Sequence, residues 1–199
     1  MFVVLEGIDG SGKSTQVDLV AERLRKNLVN GIEVQTVKFP VYDSPTGVLI
    51  GKMLKAGLKS HDSVLLFQSL MAINRFEYMS NLSCHNTLIL ADRYALSGLV
   101  YGLAQGLDFN WLQSVNSFLP IPDAIIFLDV TPQESFRRRP VRRDAMEADL
   151  QFVTKTYELY KEHLPLDALI VDGARPQDFV TSAIIDKIAL VNPTLTYRF

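Results

Sequence analysis

The run Gly7-Ile8-Asp9-Gly10-Ser11-Gly12-Lys13-Ser14 constrains this chain more than any other stretch, because it fits the pattern G-x-x-x-x-G-K-[ST] without exception. Such a run demands a strand that stops abruptly, a glycine-rich turn whose N–H groups point inward, and a helix that begins near the lysine. The flanks comply. Phe2–Glu6 is an apolar strand candidate, and after Lys13 the residues Val17, Val20, Ala21, Leu24 and Leu28 recur at helical spacing, with Gly31 as a stop. From Gly7 to Thr15 the chain can therefore cradle the phosphates of a nucleoside triphosphate. Lys13 can reach the β- and γ-phosphates, and Ser14 can offer its hydroxyl to Mg²⁺. The bland alternative is a tight turn with an incidental lysine, but strand, loop and helix agree against it.

The remainder reads as an α/β chain. Val34–Phe39, Thr87–Asp92, Ala124–Val130 and Leu169–Asp172 are further strand candidates, most of them nearly continuous apolar runs suited to a sheet covered on both faces. Thr131-Pro132-Gln133-Glu134 is a helix start, with Thr as cap, Pro at the first helical position and Glu closing a capping box; Pro176 opens a last helix. The expectation is a three-layer α/β/α fold with a five-stranded parallel sheet and right-handed crossovers. No repeat, linker or low-complexity tract divides residues 1–199, so one domain is expected. Glu6, Asp92 and Asp172 end their strands, where ligands bind in open parallel sheets.

Composition narrows the class. Hydrophobic residues make up 48% and charged residues 21%, as in an ordinary globular protein, and a net charge of −2 gives no global field for nucleic acid. One cysteine, Cys84, excludes a disulfide framework, and His61, His85 and His163 show no metal-ligand spacing. Met1 to Leu5 is too short for a signal segment and no run approaches a membrane span, so the cytoplasm is the expected compartment. A guanine-reading N-K-x-D run is absent, which argues against a GTPase. Arginines stand instead where a second phosphate could sit: Asp92-Arg93-Tyr94, Asn74-Arg75-Phe76-Glu77, and the five arginines from Arg137 to Arg143.

Taken in order, the blocks Leu5 to Gln16, Phe39-Pro40, Asn74-Arg75-Phe76-Glu77, Asp92-Arg93-Tyr94-Ala95-Leu96-Ser97-Gly98 and Pro122 to Asp129 resemble the thymidylate kinases, over roughly residues 1 to 190. The resemblance implies transfer of the γ-phosphate of ATP to dTMP with Mg²⁺, giving dTDP and ADP, by a homodimer. It also implies residue roles. Asp9 would contact the 3′-hydroxyl of the deoxynucleotide, the alternative being a loop cap. Arg93 would clamp the acceptor phosphate bidentately. Asp92, with Ser14, would hold magnesium through its water, the alternative being an ion pair at the sheet edge. Arg75 would hydrogen-bond the thymine ring. Met71 stands where the family often carries the stacking aromatic, with Phe67 one turn back. Tyr101 would pack against the sugar and reject a 2′-hydroxyl, with Ser97 and Gly98 on the same short helix. After Phe39-Pro40 the family often has an arginine; here Val41 and Tyr42 follow.

Residues 137–149 would form an arginine-rich lid. Gly10 in the phosphate loop resembles the family type whose catalytic arginine sits there, with Arg143 first in line, then Arg138 or Arg142; a solvated charged face is the alternative. Arg175 would lie beside adenine. Two rival functions fit the same residues. One is a kinase for a different nucleotide or nucleoside, the other an ATP-binding module without transfer; intact Lys13, Ser14, Asp92 and Arg93 argue against the second.

Overall fold

The structure, a computed structural model, describes residues 1–27, 31–82, 86–138 and 149–192. Five strands, β1 (Phe2–Glu6), β2 (Glu33–Lys38), β3 (Thr87–Asp92), β4 (Ala124–Asp129) and β5 (Leu169–Asp172), form one parallel sheet in the order β2-β3-β1-β4-β5. The helices are α1 (Lys13–Asn27), α2 (Pro45–Ala56), α3 (His61–Ser80), α4 (Ala95–Ala104), α5 (Phe109–Asn116), α6 (Pro132–Arg138), α7 (Leu150–His163) and α8 (Gln177–Val191). The expected α/β class and five-stranded sheet are what the structure has. Among the described residues no helix is long and apolar enough to cross a membrane.

Alternation along β1 explains the layers. Val3 and Leu5 pack with Val17, Val20 and Leu24 of α1 and Ile184 and Ile188 of α8. Phe2 and Val4 face the other way, into a cluster with Phe39, Ile89 and Tyr94. A third cluster joins Ile8, Val100 of α4, Phe127 of β4, and Val153 and Tyr160 of α7. Every residue of β1 and β3 is buried, which accounts for the apolar runs Phe2 to Leu5 and Leu88 to Ala91.

Three strand boundaries differ from expectation by a residue, the first being the start of the second strand at Glu33 rather than Val34. The second strand ends at Lys38; Phe39 N–H still donates to Asp92 O at 3.1 Å, and Pro40, lacking an N–H, stops the ladder. The fourth strand ends at Asp129 rather than Val130. The start of α6 also departs in detail. Thr131 Oγ1 does accept from Glu134 N–H at 3.3 Å, but the Glu134 carboxylate turns to Arg137 and Arg138 instead of closing the capping box. Two guanidinium partners outbid a single backbone donor.

The order places β1 in the middle, with the chain moving first to β2 and β3 on one side and then to β4 and β5 on the other. The crevice at the carboxyl ends of β1 and β3 is the switch point where such sheets bind ligands. Register makes the juxtaposition specific: Leu5 pairs with Asp92, and Asp92 with Lys38, so the phosphate loop leaves β1 beside the Asp92-Arg93 turn.

Candidate active site

A cleft of about 640 Å³ opens at this sheet edge. Among the described residues, six cations line it (Lys13, Lys38, Lys55, Arg75, Arg93, Arg138) against two acids, Asp9 and Asp92. That surplus suits a heavily anionic occupant.

Its floor is the phosphate loop. Gly7, Gly10 and Gly12 all have positive φ (147°, 80° and 98°), a backbone that side chains rarely adopt. Gly7 is also crowded: a Cβ there would meet Leu128 O at 3.0 Å. Gly10, Gly12, Lys13, Ser14 and Thr15 line the cleft, whereas Ile8 is core and Ser11 is buried beneath. Lys13 folds over the loop, donating to Ile8 O at 2.8 Å and Ser11 Oγ at 3.3 Å. Burial, then the nearby charge of Arg93, brings the Lys13 ammonium down to about 8.

Facing the floor is an arginine clamp. Arg93 has φ 72°, a left-handed conformation that costs a non-glycine residue about 1 kcal/mol or more. Neighbours hold it there: Arg93 N–H donates to Leu5 O at 3.0 Å, and the next N–H, of Tyr94, donates to Glu6 Oε1 at 2.9 Å. Its guanidinium donates to Asp9 Oδ1 (2.6 Å), Tyr101 OH (3.1 Å), Ser97 Oγ (3.1 Å) and Gly7 O (3.2 Å). Tyr101 OH in turn donates to Asp9 Oδ2 at 2.5 Å. Asp9 is thus joined in one hydrogen-bonded unit with Arg93 and Tyr101, 84 and 92 positions further along the chain. Burial alone would raise the Asp9 carboxyl, but Arg93, Lys13 and the Tyr101 hydroxyl together hold it well below the usual range. Burial likewise opposes the charge on Arg93, and Asp9 reverses that, so the guanidinium stays ionised.

Behind the clamp stands a residue that sequence reasoning noted only as a strand-end acid. Glu6 is fully buried, and its carboxylate accepts from Tyr94 N–H, Ser97 N–H (3.2 Å), Ser97 Oγ (2.6 Å) and Tyr160 OH (2.9 Å). It does for the start of α4 what a cap residue would do, since Tyr94 at the cap position makes no side-chain bond of its own. Tyr160, from α7, completes the shell, and nothing in its local sequence announces this.

The far wall comes from α3 and α4. Arg75 is 1% exposed, its Nη1 donates to Asn116 Oδ1 at 3.4 Å, and its Nε has no partner among the described residues. Burial lowers it to about 10. Gly98 permits this placement, because a Cβ there would stand 2.8 Å from Arg75 Nη1. Phe67, Gln68, Met71 and Gln105 line the same wall, and Gln68 Nε2 donates to Gln105 Oε1 at 2.9 Å. Sequence reasoning passed over this amide pair, which no motif marks. Asn74, beside Arg75, pins the segment after Pro40: it accepts from Val41 N–H at 2.8 Å and donates to Val41 O at 3.0 Å and Ser44 Oγ at 2.9 Å. Phe39 is 1% exposed, and the Phe39–Pro40 peptide is cis.

Ser14 Oγ donates to Asp92 Oδ2, and Asp92 Oδ1 is buried with no partner among the described residues. Two hard oxygen ligands, one of them with an orphaned acceptor, suit Mg²⁺. Asp92 is kept ionised against burial by Lys13 and Arg93.

The arginines expected from the later part of the chain are placed differently from one another. Arg175 is not part of the cleft lining; its guanidinium lies 4.8 Å over the Phe179 ring, a closer partner for an exposed arginine. Arg138 does line the cleft, tied to Glu134 Oε1 and Gly173 O at 2.8 and 2.9 Å. Arg142 and Arg143, with most of the expected lid, lie outside the described residues.

Comparison with known proteins points to one family. The family model described as thymidylate kinase matches residues 5–184. A probable thymidylate kinase of Pyrococcus horikoshii is 39% identical over 155 residues, 74% of this chain and 74% of that protein. The thymidylate kinase of Schizosaccharomyces pombe is 31% identical over 198 residues, 96% of this chain and 92% of that protein. The solved thymidylate kinase of Candida albicans superposes with a TM-score of 0.81 at 27% identity, covering 99% of this chain and 94% of that one. The chain belongs to the thymidylate kinase family.

Proposed function

We propose that this protein transfers the γ-phosphate of ATP to dTMP, giving dTDP and ADP, as a cytoplasmic enzyme. The observation that carries the reading is the Asp9–Arg93–Tyr101 unit standing across one cleft from the phosphate loop. The N–H groups between Gly7 and Thr15 would hold the ATP phosphates, with Lys13 unfolding from Ile8 O to meet them. Arg93 would exchange one of its present acceptors for the acceptor phosphate, and Asp9 would take the 3′-hydroxyl. Arg75, whose Nε has no partner among the described residues, would meet the carbonyl edge of thymine between Met71 and Phe67, while Ser97 and Gly98 shape that wall. Ser14 and Asp92 would hold Mg²⁺, which supplies neutralisation of phosphate charge when bound. Catalysis is then positioning and charge compensation, without a covalent intermediate.

The arginine-rich segment 137–149 acts in this proposal as the lid, and Arg143, before Arg138 or Arg142, as its catalytic contact. The single domain is taken to work as a homodimer. Leu66, Ile73 and Phe76 of α3 and Phe118 are 44–55% exposed, and Phe76 and Phe118 meet edge to face at 5.2 Å, an apolar face suited to a second copy.

Coupled ADP release measured across the common monophosphates tests the reading. The expected result is highest kcat/KM with dTMP; a different preferred acceptor, or ATP binding without transfer, would replace it with one of the two rivals.

A further inference from the structure

Lys38 was not singled out by any motif, yet it reaches the centre of the site. It ends β2 directly across from Asp92 of β3, and residues paired across a parallel ladder project from the same face of the sheet. Its ammonium donates to Ser14 Oγ at 2.7 Å and lies 3.5 Å from Asp92 Oδ2. Those are the same two residues whose oxygens suit Mg²⁺. The Asp92 side chain is 3% exposed and that of Lys38 51%, so a buried carboxylate is met by a cation that retains a path to solvent.

We propose that Lys38 is a resident counter-ion of the metal position: it neutralises Asp92 while no divalent cation is bound, and withdraws toward solvent when the cation enters. An ammonium and a divalent cation cannot share the Ser14 and Asp92 oxygens, because two positive charges at contact distance repel. Without either, Asp92 Oδ2 would face the phosphates of ATP with Lys13 and Arg93 as its compensating charges but with no cation in contact with it. Lys38 therefore supports nucleotide binding in the metal-free state and gives up that role once the metal supplies the charge.

This inference rests on the reading of the protein as an ATP-dependent kinase, and the test separates the two. ATP is titrated calorimetrically into wild-type protein and Lys38→Met, without acceptor, once in EDTA and once in Mg²⁺. Lys38→Met is expected to weaken ATP about fivefold or more in EDTA, the effect of one lost charge pair at a part-exposed site. In Mg²⁺ the two proteins are expected to agree within about twofold. Lys38→Arg, which keeps the charge, should stay near wild type in both. Equal weakening in EDTA and Mg²⁺ would make Lys38 an ordinary phosphate ligand and overturn the proposal, as would no change in either. Should Lys38→Met fail to fold, Lys38→Gln enters the same titrations. If wild-type protein binds ATP but does not phosphorylate dTMP, the kinase reading falls while the titrations still decide the role of Lys38.

Discussion

The phosphate loop and the Arg93 clamp face each other across one cleft but are built in opposite ways. The loop is eight consecutive residues whose work is done by backbone N–H groups, three glycines with positive φ and a helix start. The clamp takes Asp9 from the loop, Arg93 from the end of β3, Ser97 and Tyr101 from α4, and, behind them, Glu6 from β1 and Tyr160 from α7. A contiguous device depends on local conformation, so a change in its one long side chain costs chemistry rather than stability. An assembled device depends on packing between elements, so its supporting residues couple function to the fold.

The sharpest test of that contrast is Lys13→Ala. It should lower kcat/KM by about a thousandfold or more, as loss of a group that meets transferring charge does, while the thermal midpoint stays at or above that of wild type. The midpoint should hold because burial makes the Lys13 ammonium costly to keep charged, its pKa being depressed to about 8, which offsets its two hydrogen bonds to the loop. A large fall in midpoint would erase the distinction between loop and clamp.

Next comes Tyr101→Ala. If the ring excludes a ribose 2′-hydroxyl, the deoxy-to-ribo ratio in kcat/KM should narrow by up to about a hundredfold, mostly through a better ribonucleotide. The hydroxyl of Tyr101 also ties Asp9 to Arg93, so the KM for dTMP should rise as well. An unchanged ratio would leave Tyr101 as a strut of the clamp alone.

Glu6→Gln probes the support. The amide keeps the volume but replaces an oxygen that accepts hydrogen bonds with a group that donates, within a fully buried shell. Urea unfolding should show a loss of about 1–3 kcal/mol, accompanied by a higher KM for dTMP with little change in the KM for ATP. Equal losses for both substrates would mean that Glu6 supports the whole cleft rather than its acceptor half.

The smallest expected effect is on pH. With Lys13 depressed to about 8, kcat/KM for ATP should fall about tenfold per pH unit above that value, because the free enzyme loses the ammonium. Kcat should stay flat over the same interval, since bound phosphates hold the proton. Stability moves the other way. The folded state binds fewer protons at Lys13 than the unfolded chain between pH about 8 and the ordinary 10.5, so the contribution of Lys13 becomes less unfavourable as pH rises through that window and is flat below it. Coincident profiles for kcat and kcat/KM would mean that another group carries the titration.

What the sequence determined by itself is the part written in adjacent residues. Gly7 to Ser14 dictates a strand, a phosphate-binding turn and a helix start; apolar runs such as Leu88 to Ala91 dictate strands covered on both faces; and Asp92-Arg93-Tyr94 marks a second charged strand end. Tertiary structure decided what those ends meet. Only the strand order and the pairing of Leu5 with Asp92 and of Asp92 with Lys38 bring the loop, the clamp and the lysine into one cleft. Only packing of α7 on α4 carries Tyr160 to Glu6, and only the bare Cα of Gly98 lets the Arg75 guanidinium lie against α4. Arg175 shows the same limit from the other side: its place after β5 is legible in the chain, but the Phe179 ring under its guanidinium is not. The physical reason is range. Backbone conformation and helix starts are set over a few residues, whereas side-chain partners are set by burial between segments that can lie 154 positions apart, as Glu6 and Tyr160 do.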